Sequence, residues 1–351
     1  MNIRQATRCY ESWLRQHTPV VERDLRLKHQ RMNDSPFTFL RATYYRWAQR
    51  WLEICPTLVD APRVLAVGDL HVENFGTWRD AEGRLVWGVN DVDEACELPY
   101  PHDLVRLATS ALLAIHAEHF SLSARDACAA INDGYCASLR RGGNPVVLSE
   151  RRRWLREIAT NDLRDPVSFW TKLESWPDVN GRVPRALLRG ALPPGSALDR
   201  IVRRTAGVGS LGRPRFVALA SWGGAVVARE AKAWVPSAAA PDRSTPQILE
   251  RILRHAVRVP DPFFAIRDGW IVRRLAPDCT RIEMGELPKR RDETKLLRAM
   301  GWETANIHLG SATRRAVTHA LDGGARWLQR AASSMAEAVV DDWRAWVSSR
   351  S

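Results

Sequence analysis

Arg63-Val-Leu-Ala-Val67 runs directly into Gly68-Asp69-Leu70-His71-Val72-Glu73-Asn74-Phe75-Gly76. A polar turn at Asp80-Ala-Glu-Gly83 then leads to Leu85-Val-Trp-Gly-Val89 and on to Asn90-Asp91-Val92-Asp93-Glu94-Ala95. The two short apolar runs, bounded by turn residues, read as buried strands. Each ends in a group of acidic and amide side chains, so neighbouring strands bring Asp69, Asn74, Asp91 and Asp93 to one edge. Hard oxygen donors of this kind suit Mg²⁺, which keeps water and substrate phosphate in its octahedral shell and needs few protein ligands. Asn74 and Asp91, with Asp93 beside them, are the candidate metal ligands. The plainer alternative is a pair of polar strand-end turns, where Asp and Asn are favoured in any case.

Outward from this segment, residues 1–58 read as helical, with a break at Asn33-Asp34-Ser35-Pro36 where Ser35 can cap the helix that Pro36 opens. Downstream, Leu104, Leu107, Ala108, Ala111, Leu112 and Ile115 recur at helical spacing. A second helical pattern over 126–139 stops at Gly142-Gly143. Charged helices broken by prolines fill 144–200. Strands are expected at 201–206, 215–220, 225–230, 263–266 and 270–275, with turns at Trp222-Gly223-Gly224 and Arg267-Asp268-Gly269. Thr245 and Pro246 begin a helix inside that group, with Ile248, Leu249, Ile252 and Leu253 on its apolar face. From Asp292 onward the chain reads as helical. The expected division is an N-terminal helical segment (1–60), a helical lobe carrying the acidic motifs (61–200), a small β lobe (201–285) and C-terminal helices completing the helical lobe (286–351).

The β lobe carries a second signal, Gly207-Val-Gly209-Ser210-Leu-Gly212. A dinucleotide site would need a helix immediately after the glycines, with Glu230 near the place of a ribose-binding acid. Arg213-Pro-Arg-Phe-Val-Ala-Leu219 instead favours extended chain, which fits a glycine loop covering phosphates. Twenty residues after Gly212 comes Lys232, one of only five lysines against 52 cationic residues. It is the candidate partner of the nucleotide phosphates, and Glu250 on the following helix is the available carboxylate for it, though its place off the centre of the apolar face equally fits a solvated surface charge.

Gly68-Asp69-Leu-His71-x-x-Asn74 resembles the catalytic loop of the aminoglycoside phosphotransferase and choline kinase group, and Asp91-Val-Asp93-x-Ala95 resembles that group's metal segment. Asp103-Leu104 falls where the group has a further Asp on its next helix. More narrowly, Ser35-Pro-Phe-x-Phe-Leu-Arg41, the 68–76 and 90–94 motifs and Asp103-Leu-x-Arg-Leu107 resemble a bacterial family known chiefly as a domain of unknown function. The resemblance implies an α+β, protein-kinase-like bilobal fold. The fold would be circularly permuted, because the catalytic loop precedes the glycine loop, and would carry extra N- and C-terminal helices. Leu297–His308 resembles the helix that ordinarily precedes the catalytic loop. By that resemblance Asp69 is the catalytic base, His71 orders the catalytic loop, Asn74, Asp91 and Asp93 hold Mg²⁺, and Gly207, Gly209, Ser210, Gly212, Lys232 and Glu250 form the ATP site.

Composition narrows the remaining classes. In 351 residues, 45% hydrophobic against 26% charged excludes a disordered or fibrous chain. The longest apolar run, 107–117, contains Thr109, Ser110 and His116 and is far short of the ~20 residues a membrane span needs. No apolar signal core opens the sequence, so the expectation is a cytoplasmic protein without a membrane partner. Six cysteines without a C-x-x-C pair argue against disulfides and structural zinc. The net charge of +12 is carried by arginine, which has a bland reading in the codon composition of a GC-rich genome and a functional one in attraction to phosphates or nucleic acid. Two alternatives to an ATP- and Mg²⁺-dependent phosphotransferase stay open. One is a non-catalytic nucleotide- or nucleic-acid-binding protein using the Arg excess and fifteen tryptophans. The other is a two-metal phosphoesterase, for which further histidines are missing. The acceptor hydroxyl, on a small molecule or a protein, is not legible, and both phosphoryl and nucleotidyl transfer remain open.

Overall fold

Local chemistry sets the first boundaries. Asn2 caps α1 (Ile3–His17) in a reciprocal box with Gln5. α2 (Glu22–Arg31) follows, and Ser35 then caps α3 (Pro36–Ala42) by accepting the Thr38 amide at 3.1 Å, with Pro36 in the first turn. α4 (Tyr44–Ile54) completes the opening segment. The computed structural model describes residues 1–117, 120–148, 152–159, 165–179, 181–279, 281, 292–311, 316–317 and 324–348.

β1 (Arg63–Ala66) pairs antiparallel with β4 (Cys96–Pro99), and β2 (Phe75–Arg79) pairs with β3 (Leu85–Val89), to which the short β5 (Val146–Val147) is added. The two strands read from sequence are therefore not each other's partners. Each pairs with a strand the pattern hid: β2 overlaps the end of a polar motif, and β4 is four residues long. The Asp80–Gly83 turn forms as expected, with Asp80 accepting the amides of Glu82 at 3.0 Å and Arg84 at 2.8 Å.

α5 (Pro101–His116) is buried along almost its whole length, and α6 (Ala124–Arg141) is capped by Ser123 and ends at Gly142. From the far end of the chain, α11 (Glu293–His308) packs on α6 and α12 (Arg326–Ser348) lies along α5. One core thus joins residues from the first third and the last fifth of the sequence.

Between these helices in the sequence comes a five-stranded antiparallel sheet in the order β6-β7-β8-β10-β9. Its strands are β6 (Ala197–Arg203), β7 (Arg215–Trp222), β8 (Ala225–Ala233), β9 (Ala265–Arg267) and β10 (Trp270–Leu275). All five expected strands are present. The tight β9–β10 turn places Asp268 at φ 51 and Gly269 at φ 76, the left-handed pair that a two-residue hairpin needs. Alternation along β7 sends Phe216, Ala218 and Ala220 to one face and Val217 and Leu219 to the other. α7 (Arg153–Ala159) precedes two helices that cover these faces: α8 (Pro166–Glu174) contributes Leu173 to one, and α9 (Arg185–Ala191) contributes Leu188 to the other. The boundary expected at 200 thus falls after two helices that pack on the sheet, and the one at 286 lies outside the described residues. α10 (Pro246–His255) forms where expected and buries Ile248, Leu249 and Ile252, but Thr245 makes no side-chain cap bond.

The fold is mixed α+β, with twelve helices among the described residues and antiparallel sheets. Among those residues, no helix is long and apolar enough to cross a membrane.

Candidate functional site

The loop after β1 is held by one buried carboxylate. Asp103, in the first turn of α5, accepts the Val67 amide at 2.7 Å and the Gly68 amide at 2.9 Å, and His308 Nε2 of α11 lies 3.1 Å away. Burial pushes the Asp103 pKa up, but His308 and the neighbouring His102 ring, whose Nδ1 lies 3.6 Å away, outweigh it and hold the group well below the ordinary carboxylate range. Gly68 has φ 83, and a Cβ there would collide with the Glu94 carbonyl. Glycine at that position lets the 68 and 94 segments touch. The loop then closes on itself: the Asn74 amide donates to His71 O at 2.8 Å, Asn74 Nδ2 to Asp69 O at 3.0 Å, and the Asn90 amide to Asn74 O at 2.9 Å. Asn74 Oδ1 is left without a protein donor among the described residues.

Asp69 accepts from Arg106 Nε at 3.1 Å and from Arg106 Nη2, which also donates to Leu40 O at 2.8 Å. Arg106 is fully buried and lies over the rings of Tyr44 and Trp47 at 5.3 and 5.1 Å. Burial raises the Asp69 pKa more than Arg106 lowers it, so the carboxylate has more affinity for a proton than an ordinary Asp.

The two halves of the sequence meet at the end of β3. Lys232 Nζ, on β8, lies 3.5 Å from Asp91 Oδ2 and contacts Asp93 Oδ2 directly. Burial would raise the Asp91 pKa, but Lys232 and Arg273 hold it down to about 2; burial takes Lys232 down to about 8. Asp91 keeps 47% of its side chain exposed, whereas Asp93 keeps 10% and is also approached by Arg213 at 3.8 Å. Arg213 Nη2 donates to Glu94 Oε1 at 2.5 Å, and Glu94 Oε2 accepts the Ala238 amide at 2.7 Å.

Over these groups lies the glycine loop. The Ser210 amide donates to Gly207 O at 3.0 Å, and Arg215 Nη2 to Ser210 Oγ at 2.8 Å. Lys28 Nζ, on α2, donates to Gly209 O at 2.9 Å. A Cβ at Gly209 would stand 2.9 Å from Arg41 O and 3.4 Å from Asp69 Oδ2, so the loop tip rests on the 69–74 loop. The cavity enclosed between them is about 60 Å³.

Asp69, His71, Asn74, Asp91, Asp93, Gly207, Gly209 and Ser210 line this one cavity. Gly212 stands behind it, packed against Leu25 of α2, and Lys232 is screened from it by the two aspartates. Three expectations are corrected. Glu250 is not the lysine's partner: it is 44% exposed on α10 and pairs with Arg254 at 3.7 Å. Asp93 takes that role and is engaged by cations rather than left free as a ligand. His71 does not order the loop through its ring, whose Nδ1 is buried without a partner among the described residues; its carbonyl does. Burial, with Arg41 and Arg106 nearby, holds the His71 pKa well below its ordinary value, so the imidazole is neutral. Glu230 faces no ribose site; it is buried among Arg204, Arg215 and Arg273.

Sequence reasoning missed Lys28, Arg106 and Arg213, and with them the part that α1, α2 and α4 play as a wall of the cavity through Tyr10, Lys28 and Tyr45. A signal for Lys28 existed in the scarcity of lysine, the argument that singled out Lys232. Arg106 stands in the Asp103-Leu-x-Arg-Leu107 motif, which gave it no role, and no signal separates Arg213 from the other arginines. Among the described residues, no group of three or more His, Cys, Asp and Glu side chains is placed to hold a metal ion by itself.

No curated protein and no solved structure matches the chain. Residues 20–166 and 196–349 match the family described as an uncharacterized protein conserved in bacteria, DUF2252, and with most of its length covered the chain belongs to that family.

Proposed function

We propose that the protein is an ATP- and Mg²⁺-dependent phosphotransferase whose parts are arranged as in a circularly permuted protein kinase. The observation that carries this reading is the approach of Lys232 to Asp91, within 3.5 Å, beside Asp69 and Asn74 and behind a glycine loop. The donor set suits the metal: Asn74 Oδ1 and the half-exposed Asp91 are hard oxygens, and phosphate and water would complete an octahedron. Bound there, Mg²⁺ would neutralise charge on the transferring phosphoryl group. Asp69, oriented by Arg106, would accept the proton of the acceptor hydroxyl, and Lys232 would exchange Asp91 for phosphate oxygens. The cavity of about 60 Å³ beneath the glycine loop has room for a phosphoryl group.

Calorimetry with Mg²⁺-ATP and an assay of ADP release test the reading on three proteins. The wild type is expected to bind and slowly hydrolyse Mg²⁺-ATP. Asp69→Asn should keep the affinity and lose about 10²–10⁴ in rate, while Lys232→Met should weaken binding at least tenfold. Absence of Mg²⁺-ATP binding to the wild type rejects the proposal. Binding with no turnover in any of the three makes the protein a non-catalytic nucleotide binder.

A further inference from the structure

Lys28 is 3% exposed and lines the cavity, yet it has no carboxylate within ion-pair distance among the described residues. Its one hydrogen bond goes to Gly209 O, which occupies one of three ammonium donors. The ammonium otherwise rests over the rings of Tyr10 at 5.1 Å and Tyr45 at 5.7 Å, which stack on each other at 4.2 Å. Glu11, an acid of neighbouring α1, is taken by His29 at 2.5 Å. Burying a cation without a counter-ion is costly, and here burial, with Arg213 nearby, brings the Lys28 pKa down to about 8. A tether for a loop carbonyl needs only a neutral donor, so the charge calls for another explanation. Two further polar groups in the same cavity are buried and have no hydrogen-bond partner among the described residues: the Tyr44 hydroxyl and His71 Nδ1.

We propose that the acceptor is a small hydroxylated anion, a hydroxycarboxylate or a phosphorylated alcohol, whose charge is bound by Lys28 while its hydroxyl faces Asp69. The proposal rests on the phosphotransferase reading of the same site. Gly209 connects the two ends, because it accepts from Lys28 and its Cβ position is 3.4 Å from Asp69 Oδ2. The Tyr44 hydroxyl and the neutral His71 ring would serve the remaining oxygens of the ligand. In the transfer, the acceptor oxygen forms the new bond to the γ-phosphorus as the bond to the bridging oxygen of ADP breaks. The hydroxyl proton passes to Asp69.

The test uses the full chain and three probes: D-glycerate, glycerol 3-phosphate, and uncharged glycerol. Each is titrated by calorimetry with and without Mg²⁺ and the non-hydrolysable ATP analogue AMP-PNP. The wild type should bind at least one anion at least tenfold more tightly than glycerol, and the stronger of the two anions decides between carboxylate and phosphate. Lys28→Met should erase that preference while the variant still binds AMP-PNP; Lys28→Arg should restore it. Should Lys28→Met not fold, the shift of the wild-type Lys28 ammonium resonance on titration with the preferred anion, read by NMR of lysine-labelled protein, reports the same contact. No preference for anions in the wild type, or a preference that survives Lys28→Met or leaves the Lys28 resonance unmoved, overturns the proposal. Those results would leave the phosphotransferase reading intact if AMP-PNP binds. An anion preference without AMP-PNP binding would remove that reading and keep the anion site.

Discussion

Asp103 and Glu303 are both buried acids, and their surroundings drive them in opposite directions. Asp103 collects two backbone amides and two imidazoles and stays ionised. Glu303, on α11, is 2% exposed and accepts Asn306 Nδ2 at 2.7 Å; burial outweighs the attraction of Arg258 and carries its pKa from 4.5 to about 8. An acid whose folded pKa is raised contributes nothing against folding below the unfolded value. It then destabilises increasingly as pH climbs from about 4.5 to about 8, by on the order of 1.4 kcal/mol per pH unit at most. Glu303→Gln keeps the acceptor for Asn306 and removes the titration. The variant should therefore match the wild type near pH 4.5 and melt at a higher temperature at pH 8, a divergence that differential scanning calorimetry across that range would detect. Neither environment was legible in the sequence. The motif around Asp103 marked a residue of interest but not that its charge would hold the Val67 and Gly68 amides, because His308 arrives from 205 residues away.

Elements announced by local chemistry form where the sequence puts them. The Ser35-Pro36 start, the Gly142 stop and the Asp268-Gly269 turn each depend on a few adjacent residues. Elements set by contact do not announce themselves, as the hidden strands β2 and β4 show. The α6–α11 contact is another case. A Cβ on Gly134 would meet the Arg298 carbonyl, and one on Gly301 would meet the Ile131 carbonyl, so the helices touch backbone to backbone. A lone glycine in a helical pattern reads only as a weak point; here the missing side chain is the packing surface. Gly301→Ala should destabilise the protein by about 1–3 kcal/mol, through forced separation of the helices. Gly190 in α9 has nothing near its Cβ position, and Gly190→Ala should instead stabilise by about 0.5 kcal/mol. Urea unfolding of the pair checks the opposite signs.

Across the whole molecule, the order of motifs made the meeting of Asp91 with Lys232 legible before any coordinates, since a lysine so scarce and so spaced had few other uses. The wall formed by α1 and α2 was not legible, because amphipathic helices rich in arginine carry no mark of what they will face. α12 ties the ends of the chain to this assembly. Arg46 holds Asp342 at 2.8 and 3.0 Å, Arg4 Nη2 donates to Trp346 O at 2.9 Å, and Leu328, Ala332 and Met335 are fully buried. Asp342→Ala leaves the Arg46 guanidinium, 7% exposed, without its carboxylate. A loss of about 2–4 kcal/mol in urea unfolding is expected, with Arg46→Met in the same background recovering part of it.

The closing helix also bears on biosynthesis. α5, whose Asp103 fixes the Asp69 loop, packs against α12 and accepts from His308 of α11, which is translated 205 residues later. At about 5–20 residues per second, roughly 10–50 s separate Asp103 from Ser348 on a ribosome. For that interval the nascent polypeptide holds the 68–76 loop without the helices that complete its scaffold.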